Sequence, residues 1–205
     1  MTMKIAVFNC RPDERGLFEF YKKKYQIELK ITTEAPTVEN YSFVQGCQAV
    51  SAITTPIDGE LLRAWKEAGI RAISTRTVGY DHIDLETAKK LNIPISNVSY
   101  TPHTVAEYTV MTILMAIRLM KTILTRYQVQ DYALTDVRGK ELRNMTVGVV
   151  GTGNHDMAVL NAMPNVLMTP HTAFFTDEAV GDMIRYSLES CIAEIEGKED
   201  PRRIC

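Results

Sequence analysis

Over the first hundred residues, short apolar runs alternate with amphipathic stretches. Lys4-Ile-Ala-Val-Phe-Asn-Cys10 is an apolar run closed by Arg11-Pro12-Asp13, the pattern of a central parallel strand entering a turn. Glu14 to Lys24 carries Leu17, Phe18, Phe20 and Tyr21 on a helical face. Ile27, Leu29 and Ile31 alternate with charged neighbours and predict a second, more exposed strand. Thr37 to Phe43 is a weak segment, one helical turn at most. Ala49 to Thr55 reads as a third strand, and Asp58 is placed to cap a helix through Leu61, Leu62, Trp65 and Ala68 that Gly69 stops. Arg71 to Thr75 is a fourth strand, Asp84 begins a helix through Leu91, and Ile93-Pro-Ile-Ser96 is a fifth strand. Such an alternation, repeating every ~20 to 25 residues, predicts right-handed βαβ units and a flavodoxin-like, doubly wound parallel sheet with helices on both faces.

The second half has a different texture. Thr104 to about Tyr127 reads as one long helix, opened by the capping box Thr104-x-x-Glu107 after Pro102. Val105, Tyr108, Met111, Ile113, Leu114, Met115, Ile117, Leu119 and Met120 go most of the way round it. The helix is therefore expected to be buried on nearly all sides, by its own domain plus a second domain or a second subunit, and a homodimer is expected. Asp131 to Arg143 is a polar connector.

Thr146 to Asn154 then has the form of a buried strand running into a glycine turn. Gly151 and Gly153 would let the backbone approach a pyrophosphate at a helix N-terminus. The dinucleotide fingerprint wants glycine or alanine at position 156, where this chain has Asp156. The motif opens and does not close. Asn165 to Met168 reads as a short strand, followed by Thr169-Pro-His171-Thr-Ala173 and a helix from Thr176-Asp-Glu to about Ile195, ended by Gly197.

Composition narrows the function classes. With 205 residues, 45% of them hydrophobic and 23% charged, the chain can bury one core with a small appendage. Its net charge of −2 and the lack of any basic run beyond Lys22-Lys23-Lys24 argue against nucleic acid. Cys10, Cys47, Cys191 and Cys205 show no metal-ligand spacing, so no metal is expected and a reducing, cytoplasmic setting is the default. The N-terminus has no leader pattern. The window Val105 to Met120 is short for a ~20-residue membrane span and contains Glu107, so no membrane partner is expected.

Several blocks together then carry a resemblance. They are Ser74-Thr-Arg-Thr-Val78-Gly79-Tyr-Asp-His-Ile-Asp84, Asn97-Val-Ser-Tyr100-Thr-Pro102 with Val105-Ala-Glu107, Gly148-Val-Val-Gly151-Thr-Gly153, Pro164-Asn-Val, and Thr169-Pro-His171-Thr-Ala-Phe174 with Thr176-Asp-Glu-Ala-Val180. In this order they resemble the NAD-dependent D-2-hydroxyacid dehydrogenases, most of all the D-lactate dehydrogenases and their vancomycin-resistance relatives. The resemblance implies a flavodoxin-like catalytic domain made of both chain ends, here residues 1–103 and 165–205. Residues 104–164 would be the interdomain helix, the connector and a truncated remnant of the inserted Rossmann domain. About one domain, ~130 residues, is missing from it; an engineered deletion is the most economical account, and the second is that the protein itself carries the domain.

The same resemblance implies roles. His171 is the acid/base, Val78 and Gly79 receive the substrate carboxylate on backbone amides, and Tyr100 and Phe174 line the substrate pocket. Gly151 and Gly153 are a cofactor-binding remnant without function, so NAD belongs to the full-length family and none is expected to bind this chain. The expected partner is a small 2-oxo or 2-hydroxy acid, held weakly. The family's partner glutamate and carboxylate-binding arginine have no matching motif, and Arg76, Arg118 and Arg185 are read as surface or interface arginines. His82 and His103 are read as structural or exposed, and Asp81 and Asp84 as turn and cap residues. The alternative is a non-catalytic flavodoxin-like scaffold or a weak 2-oxoacid-binding module.

Overall fold

The computed structural model describes residues 2–148 and 165–205. The chain forms two compact units, one of Met1–Thr101 with Thr176–Cys205 and one of Pro102–Phe175.

The first unit is built on a five-stranded sheet in the order β2-β1-β3-β4-β5. Its strands are β1 (Lys4–Val7), β2 (Glu28–Ile31), β3 (Ala49–Ala52), β4 (Ala72–Thr75) and β5 (Ile95–Ser96). All neighbours are parallel, with Val7 opposite Ile31 and Ser51, and Ser74 opposite Ser51 and Ser96. This is the flavodoxin-like order that the alternation predicts. β1, β3 and β4 are buried on both faces because helices cover both.

The alternation of strand side chains divides the core in two. Ile5, Val7, Ala49 and Ala72 pack with Phe18 and Tyr21 of α1 (Arg15–Tyr25) and with Val180, Ile184, Leu188 and Cys191 of α6 (Asp177–Glu196). Ala6, Phe8, Val50 and Ile73 pack with Leu61, Leu62 and Trp65 of α2 (Gly59–Glu67) and Ala88 of α3 (Leu85–Lys90). Phe20, expected on the inward face of the first helix, is instead 57% exposed. One turn of α1 already fills its side of the sheet with Phe18 and Tyr21, and Phe20 sits against the outer edge of Tyr21.

Caps fall where the sequence places them. The Asp58 carboxylate accepts from the Glu60 and Leu61 amides at 3.0 and 2.9 Å, and Asp84 accepts from the Thr87 amide at 3.0 Å. Gly69, at φ +94°, follows α2 in a conformation that costs only glycine little. The β5 edge is closed by the end of the chain: the Ile204 amide donates to Ile95 O at 2.7 Å and the Asn97 amide to Arg202 O at 3.2 Å. Ser96 Oγ donates to the buried Asp200 carboxylate at 2.6 Å.

In the second unit, the expected long helix is two. α4 (His103–Ile117) and α5 (Met120–Gln128) are bent by 69° at a break. Leu119 takes a left-handed conformation at φ 54°. The cause lies outside the helix: Lys140 N donates to Ile117 O at 2.9 Å, occupying the carbonyl that a continuing helix would give to residue 121. Gly139 permits that crossing, since a Cβ there would meet Arg118 Cα at 2.9 Å and Ile117 O at 3.0 Å.

Nor does the capping box form. The helix starts at His103 with Pro102 in the cap position, so Thr104 already lies inside the first turn. The expectation of all-round burial is not met within this chain, where no residue of α4 or α5 is buried. The strand expected at Asn165–Met168 is also absent: Val166 O accepts from Lys121 Nζ at 3.1 Å instead of joining a ladder. Among the described residues no single helix is long and apolar enough to cross a membrane.

Candidate functional site at the tip of the fourth strand

A doubly wound sheet presents its loops for ligands at the carboxyl ends of its strands. At the end of β4 the chain runs Arg76-Thr77-Val78-Gly79, and three successive carbonyls there are held by protein donors. Thr77 O accepts from Val98 N at 3.2 Å, Val78 O from Asn97 Nδ2 at 2.8 Å, and Gly79 O from Thr77 Oγ1 at 2.6 Å. No peptide bond here is cis, so each following amide points opposite its carbonyl. The amides of Val78, Gly79 and Tyr80 donate to no acceptor among the described residues. Val78 is 48% exposed, and the space where a Gly79 Cβ would stand is open to 4 Å. The result is three successive N–H donors without an acceptor on an exposed turn, a chemistry suited to an anion.

Beneath the turn, Thr75 Oγ1 lies 2.6 Å from Thr77 Oγ1 and 3.2 Å from His82 Nε2. Burial pulls the His82 imidazole below its usual pKa, with Asp81 partly countering it. His82 is thus structural, whereas His103 is exposed at the first position of α4. Tyr100, in the same unit, is half-buried, and burial raises its phenol above the usual range.

His171 and Phe174 belong to the second unit. His171 is exposed, and its ring meets Phe174 edge-on at 5.7 Å and 77°. Thr172 Oγ1 beside it lies 3.1 Å from Tyr108 Oη of α4. Gly151 and Gly153, singled out for a cofactor, lie outside the described residues.

The reading of Arg76 as a surface or interface arginine is overturned: its side chain is completely buried. Nη2 donates to Phe8 O at 2.9 Å, and Nη1 to Ser51 O and Ser51 Oγ at 3.2 and 3.1 Å. The guanidinium therefore ties the ends of β1 and β3 to the end of β4. Sequence reasoning also passed over Asn97 and Thr77. The signal for both was the strand order, since a residue just past β5 must stand beside one just past β4.

The fold defines an α/β domain of the doubly wound class, with backbone amides unpaired among the described residues in the turn after its fourth strand. The sequence profile of the D-isomer specific 2-hydroxyacid dehydrogenase catalytic domain matches residues 5–204, and the chain belongs to that family. It is 36% identical over 163 residues to a D-specific alpha-keto acid dehydrogenase of Enterococcus faecalis, covering 79% of this chain and 50% of that protein. Against a D-lactate dehydrogenase of Streptococcus agalactiae it is 36% identical over 159 residues, covering 76% and 48%. The chain thus spans about half the length of the curated relatives it matches. Among solved structures, the apo form of D-lactate dehydrogenase from Escherichia coli superposes with a TM-score of 0.85 at 17% identity, over 99% of this chain and 100% of that one. That likeness speaks for the fold alone.

Proposed function

We propose that this chain is the substrate-side part of a D-2-hydroxyacid dehydrogenase acting on pyruvate or a related 2-oxo acid. The family's reaction interconverts a 2-oxo acid and its D-2-hydroxy acid. Residues 1–103 and 165–205 stand for the substrate domain, and 104–164 for the remainder of the inserted domain. The single observation that carries the reading is the turn after β4, whose Val78, Gly79 and Tyr80 amides are left as donors by the fixing of three carbonyls. A carboxylate is the ligand such a row accepts, and both enzymes named above from Enterococcus and Streptococcus act on small acids by their names. His171, exposed in its Thr-Pro-His-Thr turn, is assigned the proton transfer to and from the 2-oxo oxygen. Tyr100 and Phe174 are assigned to the substrate's side chain.

NAD is the cofactor of the full-length family, and two solved structures that this chain resembles in fold, dehydrogenases from Lactobacillus delbrueckii and Lactobacillus jensenii, are complexes with NAD. The residues of this chain do not fit it. The five strands found among the described residues are all used by the 2-1-3-4-5 sheet. Between Gly153 and Asn165 the chain is too short for the ~30-residue βαβ unit that grips a dinucleotide. The chain is therefore assigned substrate binding without cofactor binding, and no turnover on its own. The exposed apolar positions Val110, Met111, Leu114 and Leu124 are assigned to contact with a second copy.

Titrating the 15N-labelled chain with pyruvate tests the carboxylate site. Saturable shifts at the amides of Val78, Gly79 and Tyr80 are expected. Shifts confined to other surfaces would leave a scaffold without this site.

A further inference from the structure

We infer that Thr77, Asn97 and His82 are positioning residues for the carboxylate-accepting turn, acting through a chain of hydrogen bonds whose proton order is fixed. The inference rests on the proposed role of Val78 and Gly79 and names the residues that set their amides.

The order follows from counting protons. Gly79 O can only accept, so the single hydroxyl proton of Thr77 is committed to it at 2.6 Å. At the 2.6 Å contact between the two hydroxyls, Thr75 must then donate to Thr77, because Thr77 has no proton left to give. Thr75 in turn has none left for His82, so at 3.2 Å the imidazole must be the donor. His82 is therefore held as the tautomer with its proton on Nε2. The imidazole is half-buried, and its backbone is tied down where Ile57 N donates to His82 O at 2.8 Å.

On the other side of the turn Asn97 has a matching part. Its Nδ2 donates to Val78 O, while its own amide is held by Arg202 O in the chain's C-terminal tail. Two carbonyls are thus pulled by two side chains, Val78 O by Asn97 and Gly79 O by Thr77. Planarity of the trans peptide turns each pull into an orientation of the next amide, Gly79 N–H and Tyr80 N–H. Neither Asn97 nor Thr77 need touch the ligand. Without them the same peptides could rotate, and the donors would have to be ordered at the cost of binding energy.

The experiment titrates pyruvate into the 15N-labelled 205-residue chain and into Thr77→Val, Thr77→Ser and Asn97→Ala variants, following the Gly79 and Tyr80 amides. A long-range proton–nitrogen correlation reads the His82 tautomer. Pyruvate affinity is expected to fall about fivefold or more in Thr77→Val and Asn97→Ala, the worth of roughly one hydrogen bond, and to stay close to the parent in Thr77→Ser. The His82 proton is expected on Nε2 in the parent chain. Silence of both amides in the parent chain would overturn the carboxylate reading itself and this inference with it. A normal response in the parent, unchanged in Thr77→Val and Asn97→Ala, would overturn the positioning role alone. If either variant failed to fold, the Thr77→Ser titration and the tautomer would still decide: loss of binding in Thr77→Ser, or a proton on Nδ1, overturns the ordered chain.

Discussion

Arg76 Nη2 and Glu14 Oε2 stand 3.6 Å apart with both side chains sealed from solvent, at 0% and 1% exposure. Burial pulls the guanidinium below its usual pKa range, and the Glu14 carboxylate counters that pull. Arg11 approaches the same carboxylate, through Nη1 at 3.3 Å and its backbone amide at 2.9 Å. Arg76→Ala would leave the buried Glu14 carboxylate with Arg11 as its remaining charged partner and take the guanidinium donors from the Phe8 and Ser51 carbonyls, and should cost ~3 to 5 kcal/mol, whereas replacing the pair together by Met and Leu should cost less. Urea unfolding of the two proteins checks this. Equal losses would mean that the guanidinium matters through its carbonyl bonds and not through the charge.

Leu188 is fully buried in α6 beside Ile5, Val7 and Ile184. Leu188→Ala should destabilise the first unit by ~2 to 5 kcal/mol, because the rigid sheet beneath it can collapse only partly into the space. Chemical denaturation measures it, and a loss under about 0.5 kcal/mol would take α6 out of the core.

Stability should fall on the alkaline side. Burial pushes the Cys191 thiol up to about 12, and Asp200 adds to the effect. An unfolded thiol ionises near ~8.5, so above that pH the unfolded chain releases a proton that the folded chain keeps. The contribution is whole below ~8.5 and is lost as pH climbs toward the folded value. Burial raises Cys10 and Cys47 in the same direction. Unfolding free energies measured from about pH 7 to 10 should decline less steeply in Cys191→Ala than in the parent chain. Parallel curves would count against the shift.

A homodimer is expected, because Val110, Met111, Leu114 and Leu124 remain 52%, 43%, 43% and 49% exposed on helices that bury no residue within this chain. Light scattering at micromolar concentration should exceed the 23.1 kDa of one chain. A clean monomer would refute the assignment.

On the proposed reading of this chain as a substrate-side part without cofactor binding, it should not reduce pyruvate. Positioning a hydride donor against the carbonyl carbon supplies ~7 to 11 kcal/mol of the rate in favourable cases. Millimolar pyruvate with NADH, followed by absorbance for hours, should show no loss beyond that of a His171→Ala control. Turnover dependent on His171 would mean that the cofactor is gripped after all.

The sheet was legible in the sequence because four of its strands are apolar runs, the second alternates apolar with charged residues, and local punctuation such as Asp58, Gly69 and Asp84 marks the helices between them. These are local effects. The break at Leu119 was not legible, since it is made by Gly139 and Lys140, far along the chain, taking the Ile117 carbonyl. Arg76 was misread for a related reason. An arginine after a strand looks exposed until β1 and β3 are known to end beside β4, where their carbonyls surround it. The residues of the candidate site were marked by family resemblance, but Asn97 and Thr77, which hold the turn, emerge only once β5 is placed beside β4.

The closure of the β5 edge by residues 200–205, and of one sheet face by α6, sets an order of events during synthesis. All five strands leave the ribosome within the first hundred residues, yet the α6 part of the layer over Ile5, Val7 and Ala72 follows about 80 residues after the last of them, with only α1 on that face before it. Until then the nascent sheet keeps an apolar face and an open edge, and its final contacts join residues more than 100 positions apart, such as Ser51 with Ser187 and Ser96 with Asp200. Such distant closures are slow, and the waiting surface is the kind that chaperones hold.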